Sequence, residues 1–326
     1  MRQRGNEAVR PSSNEGHTAS APRCHTASPW PRLGFGVGLR SEHYDDILSG
    51  PRRVDWFEAL TENYMDTGGR PLAILEHVRR DHPVALHGVA LSIGSADALD
   101  YAYLHKLQAL VERIQPALVT DHLCWTGVDG RRLYDLLPLP YNEETLQHVV
   151  ERVVAVQDFL ARRIVLENPS TYVAYRHSVL SEWEFLAAVA EQADCGILLD
   201  VNNVYVSATN HGWDPVRYLD AVPVQRVAQC HLAGYTDMGS YLFDTHSAPV
   251  SEAVWELYAH AVYRFGAVST LVEWDQDIPT FDRLCAEAAQ ARNITERVCD
   301  NIARQHTDVA RGAAAHRGGH LLPACA

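Results

Sequence analysis

Lysine is nearly missing from this chain: Lys106 stands alone beside 27 arginines in 326 residues. A phosphate-binding P-loop needs a lysine behind its glycines and is excluded, and Schiff-base catalysis would rest on one residue in a helical, surface-like context. Cysteine is sparse as well. The seven (Cys24, Cys124, Cys195, Cys230, Cys285, Cys299 and Cys325) are odd in number, widely spaced and never arranged as Cys-x-x-Cys. That spacing argues against a disulfide framework and a thiolate-ligated zinc site, and for reduced thiols in a cytoplasmic protein. No apolar run approaches the roughly 20 residues that cross a bilayer, so no membrane partner is expected. The first 31 residues are rich in Arg, Ser, Pro and His and lack the apolar segment of a signal peptide. They read as a disordered extension or a misplaced start. Positive charge is scarce overall: the formal net charge is −13, and both tails are net basic, so the middle is more acidic still. So acidic a body is a poor match for a phosphate backbone, and nucleic acid is not an expected partner.

What is present is an apolar fraction of 47%, ample for a packed core, distributed in a regular alternation. Short apolar runs read as strands over Leu33–Leu39, Val54–Leu60 (near Glu58 and Glu62), Val84–His87, Leu118–His122, Ile164–Asn168, Ile197–Val201, a run from Val227 to His231, and Thr270–Trp274. Between them lie segments of helical period: Pro71–Asp81, Tyr101–Gln115, Glu143–Arg162, Glu182–Gln192, Pro215–Ala221, Val250–Phe265 and Thr280–Gln305. Eight strands alternating with helices predict an α/β protein with a closed parallel (β/α)8 TIM barrel; an open doubly wound sheet fits less well. The expected organisation is a disordered extension over 1–31, one catalytic barrel over 32–305 and a disordered tail over 306–326.

In such a barrel the chemistry gathers where the strands end. Here the strand ends carry His87, Asp121 with His122, Glu167, Asp200, His231 and Glu273, and the loop after the seventh strand adds Asp244 and His246. Two residues apart in an extended segment, Asp244 and His246 would face one point. Each alone reads as a cap, a salt bridge or a polar rim. With Asp121 set aside, four carboxylates and four imidazoles at one mouth would repel and desolvate one another unless cations neutralised them. Eight ligands exceed what one ion takes, so two or three metal ions are expected, and a thiolate-free set suits iron, manganese or zinc. Asn202, Asn203 and His211 lie near the fifth ligand and read as groups that orient it.

Ten ordered motifs then carry a resemblance. They are Leu-Gly-Phe-Gly-Val-Gly-Leu-Arg (33–40), Glu-Asn-Tyr (62–64), Leu-His-Gly-Val-Ala-Leu-Ser-Ile-Gly-Ser (86–95), Asp-His-Leu-Cys-Trp (121–125), Leu-Leu-Pro-Leu-Pro-Tyr (136–141), Leu-Glu-Asn-Pro-Ser (166–170), Leu-Leu-Asp-Val-Asn-Asn-Val-Tyr-Val-Ser-Ala (198–208), His-Leu-Ala-Gly (231–234), Asp-Thr-His (244–246) and Glu-Trp-Asp (273–275). From Leu33 to Glu287 the chain closely resembles the DUF692 or UPF0276 family, the multinuclear non-heme iron-dependent oxidative enzymes. The resemblance implies a xylose-isomerase-like barrel holding two or three iron ions of mixed Fe2+ and Fe3+ state. With dioxygen as co-substrate these would oxidise cysteines of a ribosomally made precursor peptide presented by a small partner protein. Carried over, the ligands would be His87, His122, Glu167, Asp200, His231, Asp244, His246 and Glu273, with Glu167 as a bridge. Two places depart from the family pattern: Tyr235 stands where His is common, and Ser247-Ala248 where Asp-His is common. From the residues alone two other readings stay open. One is a zinc or manganese isomerase or phosphoesterase, the other a metal-free binding scaffold.

Overall fold

Along the second strand the side chains Trp56 and Glu58 share one face, along the third Ala85 and His87, and along the fifth Val165 and Glu167. Each pair is an apolar residue followed, two positions on, by a polar one. That repeat builds the molecule. The computed structural model describes residues 29–51 and 53–317, with backbone alone at 134, 306 and 308–317.

Eight parallel strands close into a barrel: β1 Phe35–Gly38, β2 Trp56–Leu60, β3 Val84–His87, β4 Leu118–His122, β5 Val165–Glu167, β6 Gly196–Asp200, β7 Val227–Leu232 and β8 Ser269–Val272. Neighbours in sequence are neighbours in space, and β1 closes the ring by pairing Phe35 with Thr270 of β8. The main helices are α1 Arg70–Asp81, α2 Tyr101–Ile114, α3 Glu143–Leu160, α4 Glu182–Gln192, α5 Val201–His211, α6 Pro215–Ala221, α7 Glu252–Phe265 and α8 Phe281–Arg317. Their starts are written in the sequence. Asp100, Asn142, Ser181 and Ser251 each accept a backbone N–H from the first turn, and Ser181 forms a reciprocal capping box with Glu184.

Two layers fill the barrel. The lower is apolar and fully buried: Trp30, Trp56, Ala85, Leu118, Val165, Leu198, Ala228 and Leu271 pack together. The upper, one strand period nearer the carboxyl ends, is polar. Gly36 of β1 leaves room for the lower layer, because a Cβ there would stand 2.5 Å from the Trp56 ring.

Three expectations change. Trp30, assigned to the extension over 1–31, packs into the barrel base under the Arg163 guanidinium; an indole has too much apolar surface to leave in water beside an open barrel end. Residues 1–28 of that extension lie outside the described residues. The last helix continues twelve residues past Gln305 to Arg317, through an alanine-rich stretch without proline in which Gly312 is tolerated, so 306–317 is helical; the rest of the expected tail, 318–326, lies outside the described residues. The helix α5 begins directly after β6, where the sequence predicts a strand over Ile197–Val201 and no helix between it and Pro215.

Candidate metal centre

The polar layer begins with Glu167 at the end of β5. Its Oε2 lies 3.3 Å from His87 Nε2 and 3.2 Å from His122 Nε2, and its Oε1 lies 3.6 Å from His231 Nδ1. One carboxylate therefore touches imidazoles from three strands. His231 Nδ1 also lies 3.0 Å from Glu273 Oε2, which in turn lies 3.2 Å from His246 Nδ1. His246 Nε2 completes the chain of contacts, 2.7 Å from Asp244 Oδ1 and 3.8 Å from Asp200 Oδ2. All eight side chains expected to meet do meet, and all are buried except Asp244, which is partly so.

The ring nitrogens are sorted by their outer partners. His87 Nδ1 donates to Thr120 Oγ1 at 2.6 Å, and His122 Nδ1 to the Gly88 carbonyl at 3.1 Å. With the proton fixed there, each Nε2 turns a lone pair toward Glu167. His246 Nδ1 meets Asp275 Oδ2 at 3.1 Å, which leaves its Nε2 for Asp244 and Asp200. Asp200 divides its oxygens: Oδ1 caps α5 by accepting the Asn203 N–H at 2.7 Å, and Oδ2 faces the site.

Electrostatics register the crowding. Burial raises the Asp200 carboxyl well above the ordinary range, against the pull of His246. Burial would lower His231, yet the carboxylates of Glu58, Glu273 and Glu167 lift it well above the usual imidazole value. His246 is likewise lifted over its burial by Asp244, with Asp275 and Glu273 adding to it. Burial would raise Glu273, but His231 and His246 hold it well below the carboxylate range. Burial depresses His122, so that it stays a neutral donor of electrons.

A cation fits this set. Glu167 Oε2, Asp200 Oδ2, Asn202 Oδ1, Asn203 Oδ1, His231 Nδ1 and His246 Nε2 are all buried without a hydrogen bond. A buried polar oxygen left unsatisfied costs about 1–3 kcal/mol, while the two ring nitrogens meet only carboxylates, Glu273 and Asp244 nearest. Among the described residues, three groups have their donor atoms close enough to share an ion: His87 with Glu167 and His231; Glu167 with Asp200, His231 and Glu273; and His246 with Glu273 and Asp275.

The other expected site residues divide. Asn202 donates to Asp244 Oδ1 at 2.8 Å, opposite Ser170 Oγ, which donates to Oδ2 at 3.0 Å. Asn203 donates to the Asn168 carbonyl at 3.1 Å and leaves its Oδ1 free. Asp121 does not join them. It neighbours His122, so strand alternation turns it out of the barrel, where it accepts the Leu91 N–H and packs against Gly88. Its acidity is suppressed by burial and then by Glu62, and it shapes the 88–91 loop. His211, at the far end of α5, pairs with Thr171 Oγ1 at 3.0 Å and stacks on Trp213. It lines a separate cavity of about 210 Å³ with Tyr141, Glu182 and Trp183. Asp244 and His246 meet by a different route than strand alternation. A short strand, Leu242–Phe243, ends before Asp244, and His246 has φ +46°, a left-handed turn that folds its ring back toward Asp244.

Two carboxylates outside the expected set also touch its imidazoles. Glu58, on the inner face of β2, reaches His231, and Asp275 reaches His246 and Arg40. Both follow the period of two, Glu58 from Trp56 and Asp275 from Glu273. Tyr235 stacks on Tyr205, and Ser247 donates to Thr245 Oγ1. Lys106 pairs with Asp66 on the surface.

An eight-stranded parallel barrel with carboxylates and imidazoles gathered at its carboxyl-end mouth defines the class: a TIM barrel of the xylose-isomerase-like kind with residue groups able to hold metal. Solved structures agree on the fold. An L-ribulose 3-epimerase superposes with a TM-score of 0.54 at 12% identity, covering 84% of this chain and 97% of its own. A xylose isomerase domain protein from Alicyclobacillus acidocaldarius gives 0.53 at 15% identity, over 83% of this chain and 99% of its own. The sequence goes further. The profile of the family described as RiPP precursor modification enzyme MbnB/TglH/ChrH matches residues 34–296, and the chain belongs to that family. A UPF0276 protein of Anaeromyxobacter sp. (strain Fw109-5) is 58% identical over 262 residues, covering 80% of this chain and 93% of the relative. A UPF0276 protein of Acaryochloris marina is 55% identical over 258 residues, covering 79% and 93%.

Proposed function

We propose that this protein is an oxygen-dependent non-heme iron enzyme that oxidises cysteine in a ribosomally made precursor peptide, presented by a small partner protein. The observation that carries the reading is the convergence of buried, unpaired donor atoms around Glu167, in a family of peptide-modifying enzymes. His87, His122, Glu167, His231 and Glu273 would hold iron on the inner side, and Asp200, Asp244 and His246 toward the rim. When bound, iron acidifies a coordinated thiol and supplies one-electron reactivity toward dioxygen.

The chain's own residues do the rest. Thr120 and the Gly88 carbonyl keep protons off the ligating nitrogens of His87 and His122. Asn202 and Ser170 hold Asp244 at the rim from both sides. Tyr172, Tyr241 and Phe243 form an exposed aromatic group beside it, with the Asp244 N–H donating to the Tyr172 hydroxyl at 2.9 Å. Exposed aromatic area next to a deep polar centre suits a peptide whose backbone stays outside while one side chain reaches in. Burial pushes the thiols of Cys195 and Cys230 up to about 12, so these two stay protonated near neutral pH.

The test is metal analysis of anaerobically purified protein, followed by oxygen uptake with a cysteine peptide drawn from a neighbouring reading frame. Iron with visible absorption, and uptake that needs the peptide, is the expected result. Glu167→Gln should lower the iron content at least about tenfold, and Lys106→Ala should leave it unchanged. Zinc or manganese without oxygen uptake would replace this reading with the isomerase or phosphoesterase one.

A further inference from the structure

Among the four imidazoles of the centre, His231 is held differently. His87 and His122 give their outer proton to neutral acceptors, and His246 faces a half-exposed carboxylate, Asp275. His231 is fully buried, turns Nδ1 toward Glu273 and Glu167, and sets its Nε2 3.0 Å from Glu58 Oε1. The second oxygen of Glu58 accepts from the Gln229 side-chain amide at 2.6 Å. Glu58 and Gln229 are themselves buried, on β2 and β7, with Glu58 one strand period above Trp56 of the apolar floor.

We infer that Glu58 is a positioning residue of the metal centre: its carboxylate accepts the His231 Nε2 proton and thereby commits Nδ1 to the metal. The inference rests on the metal-binding reading above. An imidazole can ligate through Nδ1 only with its proton on Nε2, and a protonated Nε2 sealed from water requires an acceptor. Glu58 provides it. The alternative tautomer is also provided for. The Gln229 amide lies 2.7 Å from the same Nε2 and can donate to it when the proton sits on Nδ1, which would block the metal. Glu58 and Gln229 therefore compete for one nitrogen, and the charge on Glu58 decides for the ligating form, because a hydrogen bond to a carboxylate is roughly twice as strong as one between neutral groups. A carboxylate behind the ring also makes it a more basic ligand, the arrangement seen behind many metal-bound histidines.

The probe is zinc, which is diamagnetic and needs no oxygen. In zinc-loaded wild-type protein labelled with 15N-histidine, His231 should show a slowly exchanging, strongly deshielded Nε2 proton. Zinc affinity, measured by chelator competition, should fall about 10- to 100-fold in Glu58→Ala. Glu58→Gln keeps an oxygen acceptor and should stay within a few-fold of wild type, while the Nε2 proton moves upfield. A purely structural role would lower the melting temperature of both variants and leave that resonance in place, which would overturn the inference, as would an Nδ1 proton in the loaded wild type. Should Glu58→Ala not fold, the wild-type spectrum and Glu58→Gln still decide. A wild type that takes up no zinc would remove the metal-centre reading and this inference together; a wild type that binds zinc without the Nε2 proton removes only the inference.

Discussion

Glu182 is the clearest case of a residue whose environment has a measurable consequence apart from the metal centre. It is buried on α4, and burial lifts its carboxyl from 4.5 to about 7, against the hydroxyls of Tyr218, Tyr141 and Thr171 that donate to it. A raised acid is one whose folded form holds its proton more tightly. The folded state thus binds more protons than the unfolded between pH 4.5 and about 7, and stability falls as pH rises through that window. Glu182→Gln should be insensitive there. Urea midpoints at pH 5 and pH 8 should show the wild type losing on the order of 1–3 kcal/mol relative to the variant; parallel behaviour of the two proteins would refute the assignment. At the same scale, Asp121 and His122 illustrate what strand period alone decides. Adjacent residues at a strand end cannot both face inward, and His122 has the inward place.

Among the elements, the strands are the most legible. Each shows as a short apolar run, and the acids and imidazoles at their ends follow from the barrel rule once eight such runs are counted. Glu58 escapes that rule because it sits within an apolar strand, two residues before its end at Leu60. Asp275 escapes it because it lies past one. Helix α5 is hidden by Val201, Val204 and Val206, whose β-branching favours a strand; the Asp200 cap and burial of the helix face override that preference. His211 is misplaced as a result, since a helix carries it eleven residues along and away from the mouth. The strand β1 offers a direct test of packing. Gly36→Ala puts a methyl group 2.5 Å from the Trp56 ring and should cost about 1–3 kcal/mol by chemical denaturation. Gly68→Ala, with nothing within 4 Å, should change stability by less than about 0.5 kcal/mol. Equal effects at the two positions would mean that the lower layer is not tightly packed.

For the whole molecule, a centre with unpaired carboxylates and imidazoles makes stability depend on metal supply. At free metal a thousandfold above the dissociation constant, binding adds about 4 kcal/mol to the folded state. In a protein of this size that corresponds to a rise of roughly 10 °C in melting temperature. Calorimetry of chelator-stripped protein, before and after anaerobic Fe2+, should show it, and an unchanged transition would mean that the buried donors are satisfied some other way.

The indole of Trp30 and the apolar layer above it stopper the amino-end opening of the barrel. The polar centre can therefore be approached only from the carboxyl-end mouth. A chain of amino acids cannot be threaded through the barrel like a bead string; it must dip in as a bend or a loose end and withdraw by the same route. On the function proposed above, the cysteines open to modification would be those near a terminus or in a hairpin of the peptide, and one in the middle of a rigid helix would stay out of reach.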